Sequence, residues 1–256
     1  MNRIQQLFTQ KKENILSVYF TAGFPKPNDT VPILESLQKY GVDMAEIGIP
    51  FSDPLADGPV IQNSSQIALK NGMNLKKLFS QLANIRASVH IPLVMMGYLN
   101  PIMQFGFENF CSECKKVGVD GMIIPDLPMD VYLSEYREIV EKNGLDFIFL
   151  ITPETSEERI RQIDEHTHGF IYMVSSAGVT GTQNSFDHHI DYFNRINSMH
   201  LKNPRLIGFG ISNKLTRETA SRYSSGVIIG SAFIKALQES SDVESAVKFL
   251  IKKLKE

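Results

Sequence analysis

The 256-residue chain has no tryptophan, only two cysteines and no excess of one charge: 26 Lys and Arg against 28 Asp and Glu leave a formal net charge of −2. A balance so close to neutral gives no electrostatic ground for a nucleic acid or an anionic membrane as partner. No apolar run reaches the length of a membrane-spanning helix, and the opening MNRIQQLFTQKKENI lacks the apolar centre of a signal peptide. A soluble, cytoplasmic protein is therefore expected. Cys111 and Cys114 form a C-x-x-C in NFCSECKK, but they fall inside a predicted helix, whereas a redox pair precedes one. No second pair completes a zinc site, so both read as reduced thiols. Neither His166/His168 nor His188/His189 has the i, i+4 spacing that aims two rings at one metal, and no metal is expected. A glycine fingerprint is also missing early in the chain: the first strand ends in TAGFP, which argues against an open dinucleotide-binding sheet.

What is present is a regular alternation. Apolar or β-branched runs at 15–20, 44–49, 92–98, 119–125, 145–151, 169–175, 204–210 and 226–231 are each followed by an amphipathic stretch. The helical stretches lie near 60–70 and 74–87, then at 101–116, 130–142, 156–165, 187–199 and 213–222, with a last helix running to about 253. Another opens after the cap candidates Asn28 and Asp29. Near-continuous apolar strands separated by helices mean parallel pairing under a helical cover. Eight such units in about 250 residues is the size of a (β/α)₈ barrel, a TIM barrel. The segment before Ile15 reads as an extra N-terminal helix. With 43% hydrophobic residues and no linker or low-complexity tract, a single domain over 1–256 is expected.

In such barrels the active site is built at the carboxyl ends of the strands. There the second strand runs into EIGIPFSDPLADGP, with Glu46, Asp53 and Asp57 and no basic residue among them. Side chains alternate along MAEIG, so Ala45 and Ile47 suit the helix side and Glu46 points into the barrel. A carboxyl among apolar neighbours has its ionised form disfavoured and suits a general acid; the bland alternative is a buried Glu in a structural network. Asp57 follows in a loop limited by Pro54 and Pro59, with Gly58 available for a sharp turn. Alone, its Asp-Gly pair would only mark a turn. Beside Glu46, it offers a second carboxyl in different surroundings, which is how acid and base roles are divided. Asp53 reads as a turn residue or a contact for another chain. A second constellation follows the last three strands: GVTG (178–181), GFGIS (208–212), and Gly230–Ser231 at the start of the last helix. Glycines there let backbone N–H groups approach an anion, at the recurrent phosphate site of this fold.

These residues resemble those of the tryptophan synthase α-subunit family. The similarity is carried by TAGFP (21–25), EIGIPFSDPLADGPVIQ (46–62), MGYLNPI (96–102), VDGMIIPDLP (119–128), SAGVTG (176–181), GFGIS and IIGSA (228–232), in order along nearly the whole chain. The resemblance implies retro-aldol cleavage of indole-3-glycerol phosphate to indole and glyceraldehyde 3-phosphate, without a cofactor in this chain. It puts the catalytic carboxylates on Glu46 and Asp57. It adds substrate contacts at Tyr172 and Thr180, an indole pocket drawn from Tyr19, Met96, Leu99 and Phe209, and phosphate contacts at Gly181, Gly210, Gly230 and Ser231. It also implies a pyridoxal-phosphate-bearing β subunit as partner in an α2β2 tetramer. That partner would meet Asp53, Pro54, Asn100, Pro101, Asp126 and Pro128, which without the resemblance read as ordinary barrel-top turns. Two departures stand out: Ser176 where some members carry Arg, and Tyr19 where others have an apolar aromatic. A stand-alone lyase and a non-catalytic activator of a β subunit remain as rival readings.

Overall fold

The computed structural model of the chain describes residues 1–174, 190–208 and 210–255. Among the described residues nine strand segments, β1 (Ile15–Thr21), β2 (Met44–Gly48), β3 (Leu93–Met96), β4 (Gly121–Ile123), β5 (Asp146–Phe147), β6 (Leu150–Ile151), β7 (Ile171–Val174), β8 (Arg205–Gly208) and β9 (Gly226–Ile229), form one sheet. Its order is β5-β4-β3-β2-β1-β9-β8-β7-β6 and the recorded ladders are parallel. The two outer segments, β5 and β6, are neighbours in sequence, separated only by Ile148 and Phe149. Ile148 N–H donates to the Met122 carbonyl at 3.0 Å on one side, and Phe149 O accepts from Tyr172 N–H at 3.0 Å on the other. The stretch 146–151 therefore closes the sheet on itself as the expected eight-stranded barrel. The single strand expected over 145–151 is split because its first half bonds β4 and its second half bonds β7.

Burial follows the alternation of side chains. Inward residues such as Met44, Val94, Ile123, Ile148, Leu206 and Ile228 form an inner core. Outward residues such as Ala45, Ile47, Met95 and Ile207 pack against the helices. The N-terminal helix Arg3–Gln10 is capped by Asn2, whose side chain accepts from Gln5 N–H at 3.1 Å. It buries Ile4 and Phe8 in the inner core. Arg3 pairs with Asp120 at 3.0 Å and Gln5 donates to Asp146 at 2.9 Å, just before β4 and at the start of β5. These contacts plug the amino-terminal end of the barrel and leave the carboxyl end for a site.

Several helices break where a single one was expected. The stretch over 101–116 is two helices, Leu99–Phe105 and Phe107–Val117, because Gly106 between them sits at φ +88, outside helical space. The 74–87 stretch is a helix at Leu75–Leu82 and a 3₁₀ turn at Ile85–Ala87. The last helix is Ser231–Glu239 followed by Val243–Lys255, parted by an extended Ser240. Over 130–142 the helix relaxes to a π-turn at Tyr132–Tyr136. Asp29 precedes Thr30–Lys39 but its carboxylate accepts from Lys26 N–H, tying the preceding turn rather than capping the helix. Cys111 and Cys114 are buried and unbridged inside Phe107–Val117. Burial raises both thiols, Cys111 to about 12, so neither supplies a thiolate near neutral pH. Among the described residues no helix is long and apolar enough to cross a membrane.

Candidate active site

The β2 register sets Glu46 beside Tyr19 of β1 and Val94 of β3, on the inward face. Glu46 is fully buried. Ser17 O–H donates to its Oε1 at 2.7 Å, while Oε2 has no partner among the described residues. Burial pushes its pKa up to about 7, and the Ser17 bond opposes that rise. Ser17 lies two residues before Tyr19 on β1, so the carboxyl leans away from the mouth, one layer beneath it. In this position it does not line the cavity above.

Asp57 ends the irregular loop after β2, just before the helix Pro59–Lys70. Pro59 occupies the first turn of that helix, where its missing N–H costs nothing. Gly58 has φ −74, so its special freedom is not used and the expected sharp glycine turn is absent. The loop is fixed instead by hydrogen bonds. Asp57 N–H donates to the Pro54 carbonyl at 3.0 Å, and the Gln62 side chain donates to the Asp57 carbonyl at 2.8 Å. Tyr98 O–H donates to Asp57 Oδ2 at 3.2 Å, and the Tyr98 hydroxyl oxygen accepts from Ala56 N–H at 3.0 Å. Burial pushes the Asp57 carboxyl up to about 6, and the Tyr98 bond holds it back.

Above Glu46 the barrel opens into a cavity of about 600 Å³. Tyr19, Asp57, Met96, Tyr172 and Ile228 line its inner part, and Gly210, Gly230 and Ser231 line one side. Gly230 caps the helix Ser231–Glu239, so the unpaired N–H groups of that helix start open toward the cavity. Gly210 sits at φ +74, a conformation that favours glycine. This wall combines close backbone approach with a helix amino end, the features of an anion seat. Among the described residues no group of three or more His, Cys, Asp or Glu is placed to hold a metal ion.

The structure thus brings Asp57, Tyr19, Met96, Tyr172, Gly210, Gly230 and Ser231 together around one cavity, with Glu46 beneath its floor. Leu99 is not part of it. As the first residue of Leu99–Phe105, its N–H is held by Asp126 Oδ1 at 2.9 Å and its side chain packs on the outer core. Ile228 supplies apolar surface in the cavity. Thr180, Gly181 and Phe209, with Ser176, lie outside the described residues. Of the rim residues expected to meet another chain, Asp53, Asn100, Asp126 and Pro128 are exposed, Pro101 is half-buried and Pro54 is buried. Leu55 beside them is 87% exposed. Two further polar groups escaped the sequence reading. Ser17 had a signal, since Ser17, Tyr19 and Thr21 alternate in an otherwise apolar strand; Tyr98 had none.

The sequence model of the family described as "Tryptophan synthase alpha chain" matches residues 5–256. The tryptophan synthase alpha chain of Parabacteroides distasonis is 59% identical over 257 residues, covering 100% of both chains. That of Phocaeicola vulgatus is 60% identical over the same length and coverage. Among solved structures, the tryptophan synthase alpha chain of Legionella pneumophila superposes with a TM-score of 0.87 at 31% identity, covering 99% of this chain and 96% of that one. A mutant alpha subunit from the hyperthermophile Pyrococcus furiosus gives 0.84 at 36% identity, over 96% and 98%.

Proposed function

The chain belongs to the tryptophan synthase alpha chain family, and we propose that its cavity cleaves indole-3-glycerol phosphate to indole and glyceraldehyde 3-phosphate. The step is a retro-aldol, carbon–carbon lyase reaction. Its bond cannot break while the indole ring is aromatic and C3 unprotonated. Glu46, neutral below about pH 7, turns up from Ser17 and protonates C3. Asp57, ionised above about pH 6, accepts the ring N–H and stabilises the cation. Glu46, now ionised, takes the proton of the glycerol hydroxyl on the carbon bonded to C3 as the carbon–carbon bond breaks. This leaves neutral indole and the aldehyde, with every proton accounted for. The phosphate sits against Gly210, Gly230 and Ser231, and Met96, Ile228 and Tyr172 enclose the ring.

One observation carries this reading: two carboxyls in unlike surroundings, Asp57 lining the cavity and Glu46 buried one layer beneath it, stand under a barrel mouth that also presents a glycine-capped helix start. The proposed steps use side chains of this chain alone. Pyridoxal phosphate is assigned to a partner β chain, docked in an α2β2 assembly over the rim that carries Asp53, Asn100, Asp126 and Pro128. The test is indole release from indole-3-glycerol phosphate, with and without a β chain. Glu46→Gln and Asp57→Asn should each lower turnover at least about 100-fold, the low end for lost acid–base catalysis. Turnover of either variant within threefold of the parent would remove that residue from the mechanism, and no indole release under either condition would remove the reaction.

A further inference from the structure

Tyr19 joins the two ends of the cavity. On β1 it sits beside Glu46 of β2, and two residues further on Thr21 sits beside Gly48. The ring leans toward the mouth, so its hydroxyl covers Gly48; a Cβ built on Gly48 would lie 2.2 Å from it. The ring's other side meets the strand that pairs β1 on the opposite flank: a Cβ built on Gly230, which follows β9, would lie 3.6 Å from Tyr19 Cδ1. One aromatic side chain therefore bridges the wall from the Glu46 strand to the glycine of the anion seat. If ring chemistry occurs above Glu46 and phosphate rests at Gly230, the three-carbon tether between them crosses Tyr19.

The polar surroundings allow an acceptor there. Thr21 lies next to the Tyr19 hydroxyl. Thr21 Oγ1 and Ser64 Oγ are 2.7 Å apart, and Ser64 O–H can also donate to the Ile61 carbonyl at 2.8 Å. Either oxygen of the Thr21–Ser64 pair can be the donor, and a single hydrogen bond between Tyr19 and Thr21, in either direction, leaves the phenol oxygen at least one lone pair for a ligand in the cavity that Tyr19 lines. Burial keeps the phenol protonated at neutral pH.

We propose that the Tyr19 hydroxyl is a specificity-determining group that accepts a hydrogen bond from a glycerol hydroxyl of the substrate, so that Tyr19 reads the tether rather than the indole ring. The assignment rests on the reaction proposed above. Binding measurements separate the two, because they do not require turnover. The protein has no tryptophan, so the indole fluorescence of a ligand reports its binding without a protein background. Two ligands are compared in a common Glu46→Gln background: indole-3-glycerol phosphate, and indole-3-propyl phosphate, which keeps ring and phosphate but has no hydroxyls. Adding Tyr19→Phe should weaken the first three- to tenfold, as expected for one lost neutral hydrogen bond, and move the second less than twofold. Equal weakening of both ligands would show that Tyr19 only packs, and no weakening of either would show that its hydroxyl makes no contact; either overturns the proposal. In the Glu46→Gln protein itself, the glycerol ligand should bind more tightly than the propyl one, and the absence of that preference would also overturn it. Failure of the parent to release indole would instead count against the reaction.

Discussion

Replacing Glu46 by Gln should change how stability depends on pH, and the size of the effect follows from burial. In the native protein the carboxyl is fully buried with one hydrogen bond, and it titrates near 7 instead of the ordinary 4.5. Between those values the native chain holds a proton that the unfolded chain has released. Stability falls with pH wherever the unfolded state binds fewer protons. The parent therefore has its full Glu46 contribution below about pH 4.5, loses it progressively to pH 7, and is flat above. At about 1.4 kcal/mol per pH unit the loss amounts to about 3 kcal/mol.

Gln cannot titrate, so the variant lacks this loss. Its amide brings a separate cost: Glu46 Oε2 has no partner among the described residues, and an unsatisfied buried NH₂ in its place costs about 1–3 kcal/mol at every pH. The diagnostic quantity is thus the slope of the difference, not its value at one pH. Relative to the parent, Glu46→Gln should gain about 3 kcal/mol in unfolding free energy between pH 4.5 and 8. Urea titrations followed by far-ultraviolet circular dichroism at several pH values measure this. Asp57 titrates in the same window but is common to both proteins, and it is not among the groups that set the Glu46 value. A difference that stays constant within about 0.5 kcal/mol across the range would mean that Glu46 is already ionised in the native state. The acid role would then be lost.

Three further outcomes are expected. If Asp57 must be ionised and Glu46 protonated, kcat/KM against pH should be bell-shaped with limbs near 6 and 7; Tyr98→Phe removes the bond that holds the Asp57 carboxyl down, so its acid limb should move to higher pH, and an unmoved limb would detach Tyr98 from Asp57. Gly210→Val forces a β-branched residue to φ +74 and crowds the anion wall, so the KM for the phosphate substrate should rise at least tenfold while free indole binds almost as before; equal effects on both would refute the placement of the phosphate. Adding a β chain should raise indole release at least tenfold and Asp53→Ala should blunt that rise, whereas saturating β chain without effect would refute coupling through the exposed rim.

The barrel was legible because its strands carry a period-two code. In MAEIG the outward Ala45 and Ile47 bracket an inward Glu46, and the observed cores divide the same way. The eight apolar runs gave the strand count, and closure through 146–151 needed only that count. Helix breaks were less legible. Gly106 lies in a stretch whose periodicity continues on both sides, and its left-handed backbone becomes evident only when two separate helices are packed. The carboxyls could be located from sequence but not their hydrogen bonds. Ser17 could have been found from strand alternation. Tyr98 reaches Asp57 across two loops separated by 41 positions, and no local pattern encodes that approach. Leu99 packs against the outer core at the start of Leu99–Phe105, and its apolar character alone does not show which core a helix-start residue faces. The resemblance implies a contact surface at Pro54, yet the loop folds so that Asp53 and Leu55 are exposed and Pro54 is buried.

The glycines of EIGIP and GFGIS can now be separated by what each one admits. Tyr19 on β1 stands beside Glu46 on β2, and Gly48 lies two residues further along. Tyr172 on β7 stands beside Leu206 on β8, with Gly208 two residues further along. In both pairs a Cβ on the glycine would fall 2.2 Å from the tyrosine hydroxyl, a distance no side chain tolerates. Each tyrosine leans up its neighbouring strand into space that only glycine leaves open, so two hydroxyls reach the mouth from different walls. Gly48 and Gly208 are therefore needed for side-chain approach within the sheet. Gly210, at φ +74, is needed for its backbone, and it is the one that lines the cavity. The G-x-G of GFGIS thus combines two unrelated requirements, which explains how it can look like the start of a nucleotide-binding fingerprint while lacking that motif's third glycine.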